Sequence, residues 1–132
     1  MENELKFNSQ ICTTKIQSQR LLELGLKPET ADCYNREEDY GYSNWIGKPS
    51  LHSDVPAWSL HRLIEILPSE IKPRNDYYNI TFDKDIVQYE NYEYGIEVLK
   101  SFGDSPTLYN NIIDCVSWLI KENLFNKEYL KQ

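Results

Sequence analysis

The segment that decides the fold runs from residue 77 to residue 120 and reads YYNITFDKDIVQYENYEYGIEVLKSFGDSPTLYNNIIDCVSWLI. Its first part contains three runs in which apolar and polar residues tend to alternate, which is the period of a β-strand. Its second part carries apolar residues at helical spacing. Sequential strands joined by short turns favour an antiparallel meander, so we expect an α+β fold in which a helix covers one face of the sheet.

We place the three strands at 78–82, 86–90 and 96–102, although alternation in the third is only partial. The long C-terminal helix should begin at Ser105-Pro106, because a serine cap followed by a first-turn proline favours a helix start. We expect it to end near Asn123 and to pack on the sheet. Its apolar stripe consists of Tyr109, Ile112, Ile113, Val116, Leu119 and Ile120.

Two helices are expected before the strands. The first begins at residues 14–17, where a Thr and a Gln three positions apart form the pattern of a capping box. Ile16 and Leu21 belong to its expected apolar face. Gly25 should end the helix in the left-handed conformation, with Leu26 folding back on Leu21.

The second helix is expected over residues 56–67. Pro56 suits a first helical turn and Pro68 prevents continuation. Residues 1–11 are expected to form a loose N-terminal segment. With 132 residues, the chain suits one α+β domain covering 1–132.

The composition narrows the range of partners. A net charge of −7 and the lack of a basic run make direct binding to nucleic acid an unfavoured interpretation. No apolar run is long enough to cross a membrane, and the N-terminus lacks the pattern of a signal peptide. Three widely spaced cysteines are typical of free thiols in a reducing cytoplasm, where we expect the protein to lie.

Residues 34–55 show no steady period and contain several aromatic side chains, so we expect a long loop. A short strand near 33–35 or 42–46 would shorten it. Tyrosine and tryptophan bring apolar area together with a hydrogen-bonding group, which suits a partner surface. The alternative is that these side chains cover the sheet of their own domain. The candidate partner-binding residues are Tyr40, Tyr42, Trp45 and His52, together with the exposed face of the sheet. Three further tyrosines, Tyr89, Tyr92 and Tyr94, are expected in cross-strand pairs or exposed turns.

Catalytic chemistry has weak support. His52 and His61 are the two histidines, and neither has the spacing of a metal ligand set. A three-dimensional arrangement of Cys33, His52 and Asp54 is conceivable, but no nucleophile motif surrounds the thiol. We assign no catalytic residue, no metal and no cofactor.

Three blocks carry a resemblance: QSQRLLELGL at 17–26, PAWSL at 56–60 and WLI at 118–120. In this order they resemble a group of small uncharacterised proteins of phage-like and mobile genetic elements in gut anaerobic bacteria. The resemblance would cover most of the chain. It implies a genomic setting and no mechanism, since the shared blocks are helix caps and core residues.

The leading hypothesis is a non-enzymatic accessory or regulatory factor that binds another protein through the 34–52 segment. One alternative is a small hydrolase-like enzyme using His52, Asp54 and a thiol. The other is a homodimer that pairs through a sheet edge, because unpaired strand edges invite pairing.

Overall fold

The computed structural model describes residues 9–93 and 95–132. Most of the expected loose segment and Tyr94 lie outside the described residues. The helices are α1 (Lys15–Glu23), α2 (Leu60–Ile66) and α3 (Leu108–Lys121), with short 3-10 turns at Pro28–Thr30 and Lys127–Tyr129. The strands are β1 (Cys33–Glu38), β2 (Gly41–Ile46), β3 (Val55–Ala57), β4 (Glu70–Ile71), β5 (Tyr78–Asp83), β6 (Ile86–Asn91) and β7 (Glu97–Phe102).

The expected α+β class is confirmed, but the strands form two antiparallel sheets instead of one. The larger sheet has the order β4-β5-β6-β7, and its last three strands are the predicted meander. The short strand β4 pairs with the start of β5. Helix α3 covers one face of this sheet and fills the centre of the main core.

The smaller sheet has the order β2-β1-β3 and corrects the expectation of a long loop over residues 34–55. β1 and β2 form a hairpin closed by a turn at Asp39-Tyr40. No alternation revealed these strands, because five of the six residues of β2 are exposed. A strand with water on both faces carries no hydrophobic period of two.

Helix α1 begins and ends as its sequence predicts. Thr14 caps it in a capping box with Gln17, and Gly25 adopts a φ of 105° at its end. The backbone N–H of Leu26 donates to the carbonyl of Leu21 (3.2 Å), which completes the Schellman motif. The predicted apolar face is wrong at Ile16, whose side chain is 79% exposed, since the buried side of α1 includes polar residues.

The second helix is shorter than predicted. Residues 55–57 pair with β1 as strand β3, and Ser59 is the true cap of α2. Pro56 is compatible with β3 because this strand lies at the sheet edge, where a missing amide proton is tolerated. Trp58 connects the two elements, is fully buried, and donates its indole N–H to the hydroxyl of Thr30 (3.0 Å).

The main core joins α3 to the larger sheet and to both other helices. Tyr89 is fully buried under α3 and donates its hydroxyl to the carbonyl of Pro68 (2.7 Å). Asn123 ends α3 with a φ of 61°, as expected for a left-handed cap. No helix in the described part of the chain is long and apolar enough to cross a membrane.

A buried polar cluster attaches the smaller sheet to the rest of the molecule. The Asn35 amide donates to the carbonyl of Thr13 (3.1 Å) and accepts from the hydroxyl of Ser18 (3.1 Å). All three residues are fully buried. Thr13 in turn exchanges hydrogen bonds with the backbone of Trp58, which belongs to the main core. Hydrogen bonds through Thr13 therefore link β1 to the main core.

We expect Asn111→Ala to lower the free energy of unfolding by about 2 kcal/mol, as for other buried polar groups left unpaired. The Asn111 amide donates to the carbonyls of Asp85 (2.7 Å) and Ser105 (2.9 Å) and ties α3 to the β5–β6 turn. Urea unfolding followed by circular dichroism measures the change. The control is Asn110→Ala, which should cost less than about 1 kcal/mol because Asn110 is only partly buried. Equal losses in both variants would contradict the assignment.

Candidate functional site

The β1–β2 hairpin (residues 33–46) presents the candidate residues of the 34–52 segment. Its register is regular from the pair Cys33–Ile46 to the closing pair Glu38–Gly41. Tyr40 lies in the turn and is 91% exposed. Tyr42 and Trp45 lie on β2 and are also exposed, so three of the four predicted residues belong to one surface feature.

One side of β2 has no partner strand among the described residues, since β2 is the edge of its sheet. The backbone N–H of Gly47 donates to the carbonyl of Asp32 (2.8 Å), which marks these residues as a hydrogen-bonded pair. Hydrogen-bonded and non-hydrogen-bonded pairs alternate in antiparallel strands. The N–H groups of Tyr42, Asn44 and Ile46 therefore point away from β1, toward the open edge.

Tyr42 and Trp45 project from opposite faces of the hairpin, because an odd separation along a strand reverses the face. Tyr42 shares a face with Asn35, which is directed toward α1. Trp45 lies opposite Tyr34, on the face turned away from α1. Tyr42 and Trp45, which the sequence analysis treated as one surface, therefore lie on the same strand but on opposite faces of the hairpin.

The Tyr42 face meets the start of α1. The Lys15 ammonium donates to the Tyr42 hydroxyl (2.5 Å) and lies 4.6 Å from the ring centroid. The hydrogen bond from this ammonium to Tyr42 raises the pKa of Lys15. A shallow groove of about 380 Å³ lies between Tyr42, Asn44 and Ile16. This groove lies beside the open edge of β2, and much of its surface is apolar.

The Trp45 face is held in place by hydrogen bonds and a cation–π contact. The indole N–H of Trp45 donates to the hydroxyl of Ser43 (2.7 Å), which itself donates to the Glu38 carboxylate (2.9 Å). The Arg36 guanidinium lies 5.0 Å from the ring centroid of Tyr34. These contacts restrain the aromatic side chains of this face.

His52 lies exposed in the β2–β3 connection and makes no hydrogen bond to another described residue. Asp54, its proposed partner in the enzyme hypothesis, is engaged elsewhere. The Asp54 carboxylate accepts two hydrogen bonds from Arg36 (3.0 and 2.9 Å) and two from the backbone N–H groups of Ser50 and Leu51. The Arg36 guanidinium is the main cause that lowers the pKa of Asp54. Asp54 therefore closes the loop that carries His52 and does not orient this histidine.

The thiols are placed for packing. Cys12 and Cys33 are fully buried and form a small cluster with Ala57. Burial, with the Asp32 carboxylate second, raises the pKa of Cys33 to about 12. A catalytic thiol needs a lowered pKa and access to a substrate. The structure does not bring Cys33, His52 and Asp54 into a catalytic relay.

The exposed face of the larger sheet was the second candidate surface. Its polar groups bind one another around Glu90, which is itself buried: Tyr92 donates its hydroxyl to the Glu90 carboxylate, and the Gln88 amide donates to the same carboxylate (2.8 Å). The hydrogen bond from Tyr92 is the main cause that lowers the pKa of Glu90. Among residues 9–93 and 95–132, no three His, Cys, Asp or Glu side chains are grouped to hold a metal ion.

No protein-family model, curated protein or solved structure matches the chain.

We expect the three cysteines to react slowly with a thiol reagent such as dithionitrobenzoate at pH 8 in the folded protein. All three are buried, and burial is also the main cause that raises the pKa of Cys115 to about 12. Absorbance at neutral to mildly alkaline pH follows the reaction. The same protein in urea provides the control and should react quickly at all three positions. One thiol that reacts fast without denaturant would support the hydrolase hypothesis and contradict the structural role.

Proposed function

We propose that the chain is a non-enzymatic interaction module that binds an extended segment of another protein along the open edge of β2. The single observation that carries this proposal is the row of outward N–H groups at Tyr42, Asn44 and Ile46. An extended segment can satisfy such groups by adding one strand to the sheet. The side chains beside the edge then supply specificity.

The composition of β2 supports this role. Natural edge strands are commonly protected by lysine, proline or a short length. β2 is six residues long, reads GYSNWI, and has neither lysine nor proline. It exposes Ile46 to 80% and also exposes Tyr42 and Trp45. An edge with this much exposed apolar surface is suited to a partner.

Charge indicates the kind of partner. The hairpin tip carries Glu37, Glu38 and Asp39 in succession, next to the exposed Tyr40. A segment with lysine or arginine and alternating apolar residues is complementary to this tip. A second copy of the chain is disfavoured, because each copy carries a net charge of −7. We therefore assign the edge to a basic segment of a different protein.

An accessory role is in keeping with the resemblance to small proteins of phage-like elements. That setting stays a prediction, as does a cytoplasmic location.

The test is selection of random peptides displayed on phage against the full chain, followed by binding measurements with synthetic copies. We expect selected peptides to be basic and alternating. Ile46→Pro should weaken them about tenfold or more, because the proline removes an outward N–H. Ile46→Ala is the matched control: it loses the same side chain but keeps the N–H, and should bind more tightly than the proline variant.

Circular dichroism and thermal unfolding establish that both variants are folded. Light scattering at high protein concentration should show a monomer. A dimer that Ile46→Pro dissociates would assign the edge to a second copy and overturn the proposed partner. Peptides that bind both variants equally would overturn the use of this edge.

A further inference from the structure

We propose that a second, separate pocket at the C-terminal end of α3 binds a small phosphorylated ligand that carries a planar group. The pocket has a volume of about 350 Å³, within the usual range for small-molecule sites. It lies where the β4–β5 loop, strand β7 and the end of α3 meet. Its lining includes Lys72, Arg74, Lys100 and Trp118.

A β-bulge directs two consecutive residues of β7 toward this pocket. Tyr89 pairs with Lys100 and the next residue, Glu90, pairs with Val98, so Leu99 is the extra residue. In a regular strand, neighbouring side chains point to opposite faces. Here Leu99 and Lys100 both line the pocket. Bulges of this kind occur often beside functional sites, where they redirect a side chain.

The lining is basic in a chain that is acidic. Three cationic side chains, Lys72, Arg74 and Lys100, face a single carboxylate, Glu122. In the described part of the chain, the ion pairs are made by Arg20, Arg36, His61 and Arg62. None of the three pocket cations has a carboxylate of a described residue within 4.0 Å. Three positive charges and one carboxylate leave the lining with an excess of positive charge, which a bound anion would neutralise.

The cations are positioned by the surrounding fold. The ammonium of Lys72 lies 4.7 Å from the ring centroid of Tyr77, and its distance to the Tyr77 hydroxyl is 3.3 Å. The ammonium of Lys100 lies 5.9 Å from the ring centroid of Phe102. Asn75 adopts a φ of 67° and turns the β4–β5 loop back immediately after Arg74. Contacts with neighbouring aromatic rings therefore restrain the side chains of Lys72 and Lys100.

Trp118 indicates the second part of the ligand. Its ring packs against Tyr89 and Phe102 on the sheet side, with centroid distances of 6.5 and 5.9 Å. The Trp118 side chain remains partly exposed. A partly exposed indole that lines a basic pocket suits stacking with a flat ring.

The ligand class follows from these two features. Lysine and arginine together suit a phosphate group, which carries nearly two charges and several acceptor oxygens. The tryptophan suits a planar ring attached to that phosphate. We use adenosine monophosphate as the probe, with adenosine and inorganic phosphate as its separated parts.

Isothermal titration calorimetry at low ionic strength tests the proposal. Adenosine monophosphate should bind in a 1:1 ratio and more tightly than either part. Arg74→Gln and Lys100→Gln should each weaken binding about tenfold. Lys48→Gln is the matched control: it removes the same charge at an exposed position outside this pocket, and binding should stay within about twofold.

Three results would overturn the proposal. The first is no saturable binding of adenosine monophosphate at millimolar concentration. The second is binding that all three variants weaken equally, which would reflect net charge alone. The third is inorganic phosphate binding as tightly as adenosine monophosphate, which would remove the planar group from the ligand class. Thermal unfolding of each variant establishes that the fold is intact.

Discussion

The buried amide of Asn35 is the contact on which the position of the smaller sheet relative to the main core depends. It joins β1 to Thr13 before α1 and to Ser18 within α1, and it also donates to the side chain of Asn44 on β2 (2.6 Å). The smaller sheet contributes little apolar contact of its own, since its buried cluster consists of Cys12, Cys33 and Ala57. Hydrogen bonds, which are directional, therefore set the position of the hairpin.

This division explains why the two sheets differ in character. The larger sheet is covered by α3 and stabilised by apolar burial, and Tyr89 is fully enclosed beneath that helix. The smaller sheet extends from the body with β2 exposed on both faces. A hairpin of this kind would be marginal alone, because an isolated two-stranded sheet has little to bury. The Asn35 cluster and the Arg36–Asp54 pair hold it in a fixed conformation, which would reduce the entropy lost on binding the proposed partner.

The sequence predicted those features that depend on local chemistry. The Thr14–Gln17 capping box, the Gly25 end of α1 and the central meander were all recovered, because caps, turns and alternation are properties of neighbouring residues. Strands β1 and β2 were considered only as short strands near 33–35 or 42–46, within an expected long loop. The exposed faces of β2 leave no hydrophobic period of two, and the buried position 35 of β1 is a polar Asn whose partners lie in and before α1.

The candidate site was predicted in part. Tyr40, Tyr42 and Trp45 are exposed on one hairpin, but the odd spacing between Tyr42 and Trp45 places them on opposite faces. His52 is exposed in the β2–β3 connection and does not belong to the hairpin. Nothing in the sequence indicated that Asp54 binds Arg36, because the two residues lie 18 positions apart. The bulge at Leu99 was visible only as the weak alternation of the third strand.

Amide hydrogen exchange in Asn35→Ala and in the unchanged protein tests this account most directly. The amides of Ser43 and Trp45, which bond to β1, should exchange about tenfold to hundredfold faster in the variant, because the loss of Asn35 leaves buried groups unpaired. The exchange rates of the Val116 and Leu119 amides in α3 should rise much less than those of the hairpin amides. Equal loss of protection in the hairpin and in α3, or no change in either, would contradict the claim that the Asn35 cluster holds the hairpin separately from the main core.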